Sequence, residues 1–186
     1  MIMSYAEVVV RALGPPEQAI PVPSHDAAAL ADTVPPALIE LWREHGWAGY
    51  GSGLFWTIDP NHLAGILPAW SLMPPASMAF GRDAFANLYL LSDGQVYQYN
   101  VHRDEPDMVA MDLDLFFDAC LDDSEFRKSY MWGDLFAEAL KRCGPLQPDE
   151  CYAFFPALAL GGSVDAASLR PVKYYEHLEF LAQLRK

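Results

Sequence analysis

The sequence predicts an α+β fold: a single compact domain with a largely antiparallel central sheet that is flanked by helices. Strand patterns cluster between residues 54 and 111, helical patterns lie on both sides of that cluster, and the clearest strand pair is a hairpin. A hairpin joins antiparallel neighbours, whereas a parallel sheet needs strands that alternate with helices. With 186 residues, of which 52% are hydrophobic, the chain can bury one substantial core.

The first 34 residues predict a helix followed by a proline-rich arm. Ser4 and Glu7 have the spacing of a capping box, which predicts a helix over residues 5–13 that a Gly-Pro-Pro sequence ends. Six prolines lie between residues 15 and 36. They predict an extended arm with one turn around 27–31.

The next stretch predicts two helices with a strand between them. Pro35 and Pro36 suit the first turn of a helix that ends before Gly46, because the nitrogen of a first-turn residue needs no hydrogen-bond partner. A glycine-rich turn leads into a strand over 54–58, and Asp59 caps a helix over 62–70. Because those glycines precede a strand, they do not match a phosphate-binding loop.

The strongest strand signal is a hairpin over residues 88–101. Asp93-Gly94 separates two apolar-rich runs, which is typical of a tight turn between antiparallel strands. Shorter strands are predicted at 78–80 before the hairpin and at 108–111 after it.

The C-terminal part predicts three helices, a buried strand, a second strand and a final helix. The three helices start at Asp112, after Ser124 and at Asp134. The stretch 146–163 predicts a strand at the centre of the domain, closed by a Gly161-Gly162 turn that must run close to neighbouring backbone. A strand over 172–175 and a helix over 176–184 follow.

The composition disfavours several classes of function. With 12 basic and 25 acidic residues the formal net charge is −13, which disfavours direct binding to nucleic acid or to an anionic membrane. This charge favours a basic partner, or solubility alone. No apolar run approaches the roughly 18 to 20 residues of a membrane span, and the N-terminus lacks signal-peptide features. Three irregularly spaced cysteines are typical of reduced thiols, so we expect a cytoplasmic protein.

The sequence contains no recognisable catalytic, cofactor-binding or metal-binding motif. The histidines are scattered, no H-E-x-x-H or phosphate-binding loop occurs, and Cys143 at a helix C-terminus is a poor nucleophile. We therefore expect no enzyme, no catalytic residue, no cofactor and no metal ligand. The many carboxylates leave a hydrolase as an alternative, because nothing in the sequence singles out one pair of them.

One local feature is unusual: nine acidic residues and no basic residue lie between residues 104 and 125. On a helical wheel the apolar residues of 113–120 fall on one side, and the carboxylates on the other. This face is either simply solvated or docks a basic partner, whose association complementary charge accelerates. The docking interpretation selects six candidate partner-binding residues: Asp104, Glu105, Asp107, Asp114, Asp118 and Asp122.

Two parts of the chain carry a family resemblance. Residues 35–60, PPALIELWREHGWAGYGSGLFWTIDP, are similar to the GAD-like module: a proline-started helix, W-x-x-x-G-W, then G-L-F-W before Asp-Pro. Residues 135–163, LFAEALKRCGPLQPDECYAFFPALALGGS, and 172–184, VKYYEHLEFLAQL, resemble the C-terminal domain of type VI secretion DNase-immunity proteins of the Tdi type. The resemblance divides the chain into the arm of residues 1–34, a GAD-like module over 35–125 and a Tdi-type module over 126–186, packed together as one unit.

The resemblance implies an immunity protein that binds and neutralises a cognate effector toxin of the type VI secretion system. The effector would be a basic nuclease, in the first place a DNase. We expect no cofactor, no direct binding to nucleic acid and no membrane partner; the sequence leaves the oligomeric state unknown, and a monomer is favoured. The alternative is a general protein-interaction or regulatory module similar to the Smi/Knr type, which shares the proline-helix-then-glycine opening and needs no toxin.

Overall fold

The computed structural model describes residues 3–23, 29–30 and 33–185. It confirms the predicted α+β class, because helices flank a seven-stranded sheet in which every neighbouring pair is antiparallel. The strands occur in the sheet in their order along the chain: β1 Glu17–Ile20, β2 Trp47–Tyr50, β3 Phe55–Thr57, β4 Met78–Asp83, β5 Leu88–Ser92, β6 Gln95–Asn100 and β7 Glu105–Ala110. A separate antiparallel pair follows, β8 Glu150–Phe154 and β9 Leu169–Lys173.

The α-helices lie before, between and after these strands. Their bounds are α1 Tyr5–Leu13, α2 Pro36–His45, α3 Pro60–Leu63, α4 Leu113–Leu115, α5 Ser124–Tyr130, α6 Gly133–Cys143 and α7 Tyr174–Gln183. The short α4 continues as a π-helical turn over Phe116–Cys120. Single 3-10 turns occur at Leu67–Ala69, Leu158–Leu160 and Ala166–Ser168.

Local signals set several element boundaries as predicted. At the start of α1, the Glu7 N–H donates to Ser4 Oγ at 3.2 Å and the Ser4 N–H donates to Glu7 Oε2 at 2.8 Å, which completes the capping box. Asp59 caps α3 by accepting a hydrogen bond from the Asn61 N–H. The hairpin between β5 and β6 turns at Asp93-Gly94, where both residues have the positive φ of a type I′ turn.

Other boundaries differ from the prediction. The sequence does not indicate β1 or β2, because β1 is exposed along its whole length and β2 lies in a glycine-rich stretch. The helix expected over 62–70 stops at Leu63, and a 3-10 turn containing Pro68 follows it. Pro68 has no N–H to donate to the Ala64 carbonyl, so an α-helix cannot continue unbroken to residue 70. The turn expected around 27–31 lies mainly outside the described residues.

The stretch 146–163 forms a buried strand as predicted, but not at the centre of the main sheet. Its strand, β8, pairs with β9 in the two-stranded sheet, and the Tyr152 N–H donates to the Ala84 carbonyl in the loop after β4 at 2.8 Å. The predicted close approach of the glycine turn is confirmed at Gly162. A Cβ atom there would overlap the carbonyl oxygen of Pro156.

An aromatic core joins the main sheet to the helices on one of its faces. The Phe116 ring lies 5.5 Å from Phe80 and 5.2 Å from Tyr89, which project from β4 and β5. Phe126 of α5 contacts Phe116, and Tyr5 of α1 stacks on Phe117. We call this side of the sheet, which carries α1, α4 and α5, the helical face.

The opposite face of the sheet carries the C-terminal elements β8, β9 and α7. Arg82 of β4 joins the two parts: its guanidinium donates to the Pro148 carbonyl at 2.8 Å and lies between the rings of Trp56 and Tyr174, 4.9 and 4.5 Å from their centroids. The side chain is fully buried. Burial lowers the pKa of Arg82, and the carbonyl and ring contacts compensate part of the cost of removing this charge from water.

Candidate functional site

Residues 112–122 of the acidic run, which we call the acidic segment, lie on the helical face, where α4 and its π-helical turn cross the sheet. Phe116 and Phe117 are fully buried, whereas Asp114, Asp118 and Asp122 are exposed. The predicted division of this segment into an apolar and an acidic side is therefore confirmed.

Two of these three exposed carboxylates, Asp114 and Asp122, contact α1. The Tyr5 ring stacks on Phe117 with centroids 4.3 Å apart, and its hydroxyl donates to Asp114 Oδ1 at 2.6 Å. Arg11 Nε lies 3.5 Å from Asp122 Oδ2 in an exposed ion pair. Burial and Asp114 together raise the pKa of the Tyr5 phenol above its usual value. Helix α1 thus fixes the position of the acidic segment on the sheet.

Glu105 and Asp107 lie on β7 at one edge of the sheet. Asp107 pairs with Gln98 of β6, so both side chains project from the same face, and the Gln98 Nε2 donates to the Tyr130 carbonyl of α5 at 3.0 Å. Glu105 is two residues away and therefore also points to the helical face. Charged side chains on an edge strand prevent its unpaired backbone from pairing with another chain.

Asp104 is separate from the other five candidates. It occupies the turn between β6 and β7 with φ of 61°, and it accepts a hydrogen bond from the Tyr99 hydroxyl. Tyr99 neighbours Gln98 in the strand and so projects from the opposite face, where it packs edge-on against Trp70. The role of Asp104 in the fold is to hold the turn between β6 and β7.

The structure thus brings five of the six candidates to the helical face and its edge. Within the described residues, Glu105, Asp107 and Asp118 accept no hydrogen bond and form no ion pair. Asp112 and Asp123 of the same acidic run cap helices, accepting from the Leu115 and Glu125 N–H groups. We call Glu105, Asp107, Asp114, Asp118 and Asp122 the acidic face.

The structure also brings two histidines together that are far apart in the sequence. The rings of His102 and His177 lie 5.8 Å apart between the sheet and α7, and the His102 Nε2 donates to the Phe85 carbonyl at 2.8 Å. Burial lowers the pKa of His102 to about 3 and that of His177 to about 4, so both are neutral at pH 7. No third ligand completes a metal site: in residues 3–23, 29–30 and 33–185, no three His, Cys, Asp or Glu side chains cluster.

Two of the three thiols lack the environment of a nucleophile. Cys120, Cys143 and Cys151 are free. Burial raises the pKa of Cys151 to about 12, and burial also raises that of Cys120. An activated thiol has a lowered pKa, so neither of these two is suited to covalent catalysis.

A cleft of about 560 Å³ lies beside α3 and the loop that precedes β4. Its lining within the described residues contains no charged side chain, histidine or cysteine, and includes Trp70, Met73 and Pro74. The lining offers no general acid or base. The cleft therefore suggests no reaction.

Two protein families match this chain, one in its N-terminal part and one in its C-terminal part. Residues 4–102, more than half of the chain, match the GAD-like domain family. The chain belongs to the GAD-like family. Residues 111–185 match the C-terminal part of the T6SS immunity protein Tdi1. Both resemblances predicted from the sequence are thus confirmed, and the second is to a type VI secretion immunity protein.

The fold is also found in an experimental structure. The crystal structure of Atu4351 from Agrobacterium tumefaciens superposes with a TM-score of 0.78 and 21% sequence identity, over 95% of this chain and 88% of that one. At this identity the likeness establishes the fold alone. No curated protein matches the chain. In the described part of the chain, no helix is both long and apolar enough to cross a membrane.

Proposed function

We propose that this protein binds a cognate type VI effector toxin, a DNase, and neutralises it as a stoichiometric inhibitor. The acidic face is the observation that supports this function: on a chain of net charge −13, three of its five carboxylates have no partner in the described residues. A nuclease needs a basic surface to bind the phosphate backbone. A carboxylate surface is complementary to it and competes with DNA for the same cations.

The arrangement of the acidic face ranks its residues. Asp107 and Asp118 are exposed and unpaired among the described residues, so they can bind a basic partner without breaking a contact of the fold. The carboxylates of Asp114 and Asp122 already contact Tyr5 and Arg11 of α1, so a partner would compete with these contacts. Asp104 is expected to contribute least, because Tyr99 already uses its carboxylate. We propose the cytoplasm as the site of action, since that is where a DNase meets its substrate.

Co-expression tests the function directly. The effector is expected to be encoded next to this protein, and its expression alone should degrade cellular DNA and stop growth. Expression of both proteins should restore growth, and the purified pair should elute as a complex with one copy of each. Growth arrest that persists despite stable, abundant immunity protein would contradict the proposal. A folded protein that binds no neighbouring toxin would favour a Smi/Knr-like interaction module instead.

A further inference from the structure

A groove of about 390 Å³ lies on the C-terminal elements, between the loop that follows β8 and helix α7. Three large apolar side chains of its lining are substantially exposed: Phe155 at 55%, Leu160 at 57% and Phe180 at 43%. Isolated apolar side chains are common on protein surfaces, but several that line one groove mark a binding site. Neither family match assigns a role to this groove.

The groove is built on well-packed structure. Its floor includes Phe154, whose ring stacks on Phe85 of the β4–β5 loop with centroids 6.2 Å apart. The loop that forms one wall is held by two N–H groups, of Leu160 and Gly162, which donate to the Ala157 carbonyl at 2.8 and 3.1 Å. A site that is ordered before binding loses little conformational entropy when a partner docks.

The charges around the groove are suited to a basic partner. Glu176 lines it and is exposed. Lys173 also lines it, but Asp149 and Glu150 lie 2.6 and 3.6 Å from its ammonium group and balance its charge. His177 in the floor is buried and its pKa is lowered to about 4, so it adds no positive charge at pH 7.

We propose that this groove docks the effector through an apolar side chain that is flanked by lysine or arginine residues. An apolar centre with aromatic side chains and a charged rim is the usual anatomy of a protein–protein interface, and buried aromatic anchors supply most of its affinity. The inference rests on the proposed function and extends it. The groove and the acidic face lie on opposite faces of the sheet, so their contributions to binding can be separated by mutation.

Paired substitutions in the groove test the proposal. The probe is the purified product of the neighbouring effector gene, and its affinity for each variant is measured by titration calorimetry. Leu160→Asp combined with Phe180→Asp should weaken binding by roughly thirtyfold or more, because each places a carboxylate where an apolar anchor docks. Leu72→Asp is the matched control, since Leu72 is 54% exposed and lies outside the groove. It should bind within about twofold of wild type.

A second variant removes the risk that a groove variant simply unfolds. Glu176→Lys changes one exposed side chain, so its thermal unfolding should match wild type. It should bind the effector about tenfold more weakly at low salt, and the difference should shrink as salt is added.

The possible results distinguish the proposed groove from the proposed inhibitor function. Binding by wild type with unchanged affinity in both groove variants would overturn the groove and leave the function intact. Failure of wild type to bind the effector would overturn the function and with it the groove. Sedimentation that shows a wild-type dimer, dissociated by Leu160→Asp, would assign the groove to a second copy of this chain instead.

Discussion

Arg82 shows how a single residue connects the two family-matched parts of the chain. Its guanidinium donates to the carbonyls of Asp83 and Pro148, at 3.2 and 2.8 Å, and lies against two aromatic rings. A planar group with several donors can make all of these contacts at once, whereas a lysine ammonium cannot. The shape of the side chain therefore matters as much as its charge.

We predict that Arg82→Lys destabilises the protein by about 2 kcal/mol, because it loses one carbonyl contact and part of the ring contacts. Chemical unfolding monitored by fluorescence measures the loss. Arg43→Lys on the exposed side of α2 is the control and should change the free energy of unfolding by less than about 0.5 kcal/mol. Equal stability of the two variants would contradict the role of Arg82.

The buried histidines predict how stability depends on pH. Their pKa values in the folded state lie below the usual value of 6.5, so the folded state binds fewer protons than the unfolded state in acid. Each histidine therefore contributes stability above pH 6.5 that is lost as the pH falls towards 4. Asp83 acts in the opposite direction: burial raises its pKa to about 7, so its ionisation costs stability as the pH rises from about 4 to 7.

A comparison of wild type with His177→Gln isolates the effect of His177 on stability, because both proteins contain Asp83. Between pH 7 and pH 4, His177→Gln should lose about 3 kcal/mol less stability than wild type, since glutamine does not titrate. Urea unfolding at several pH values in this range measures the difference. Parallel stability curves for the two proteins would show that His177 is protonated as easily in the folded state as in the unfolded one.

At the scale of elements, the exposed carboxylates of β7 and the π-helical turn carry the prediction for binding. Asp107→Lys combined with Asp118→Lys should slow association with the effector by about tenfold at low salt, because complementary charge mainly raises the association rate. Glu40→Lys with Glu138→Lys is the control: it changes the net charge equally, at exposed sites of α2 and α6. Stopped-flow kinetics at increasing salt distinguishes a local from a global charge effect. Identical rates for both double variants would remove the acidic face from the interface.

Elements with local signals could be predicted from the sequence, and those that depend on distant partners could not. The capping box of α1, the Asp93-Gly94 turn and the apolar side of α4 each arise within a few neighbouring residues. Strand β1 has no such pattern and is recognised only by its pairing with β2.

The candidate site also combines features that the sequence shows with features that depend on the packed fold. The acidic run is visible in the sequence, but that Tyr5 and Arg11 bind two of its carboxylates is a property of the packed fold. The groove escaped prediction for a related reason. Leu160 and Phe180 are ordinary apolar residues in the sequence, and only their exposure along one groove distinguishes them.

At the scale of the whole molecule, the two matched parts should unfold together. One hydrophobic core contains residues of both, and Arg82 and the Tyr152 N–H to Ala84 hydrogen bond cross between them. We predict a single thermal transition whose calorimetric and van't Hoff enthalpies agree. Two resolved transitions would instead show that the parts are independent domains.

The contacts of Arg82 also have a consequence for synthesis. The seven strands of the main sheet pair with their neighbours in the chain, so they can assemble in sequence as the ribosome releases them. Pro148 and Tyr174 emerge much later. Until then the guanidinium of Arg82 has neither partner, so the face of the sheet that later carries the C-terminal elements stays open to water. On the proposed function, a chain that ends before Tyr174 should therefore give no protection against the effector.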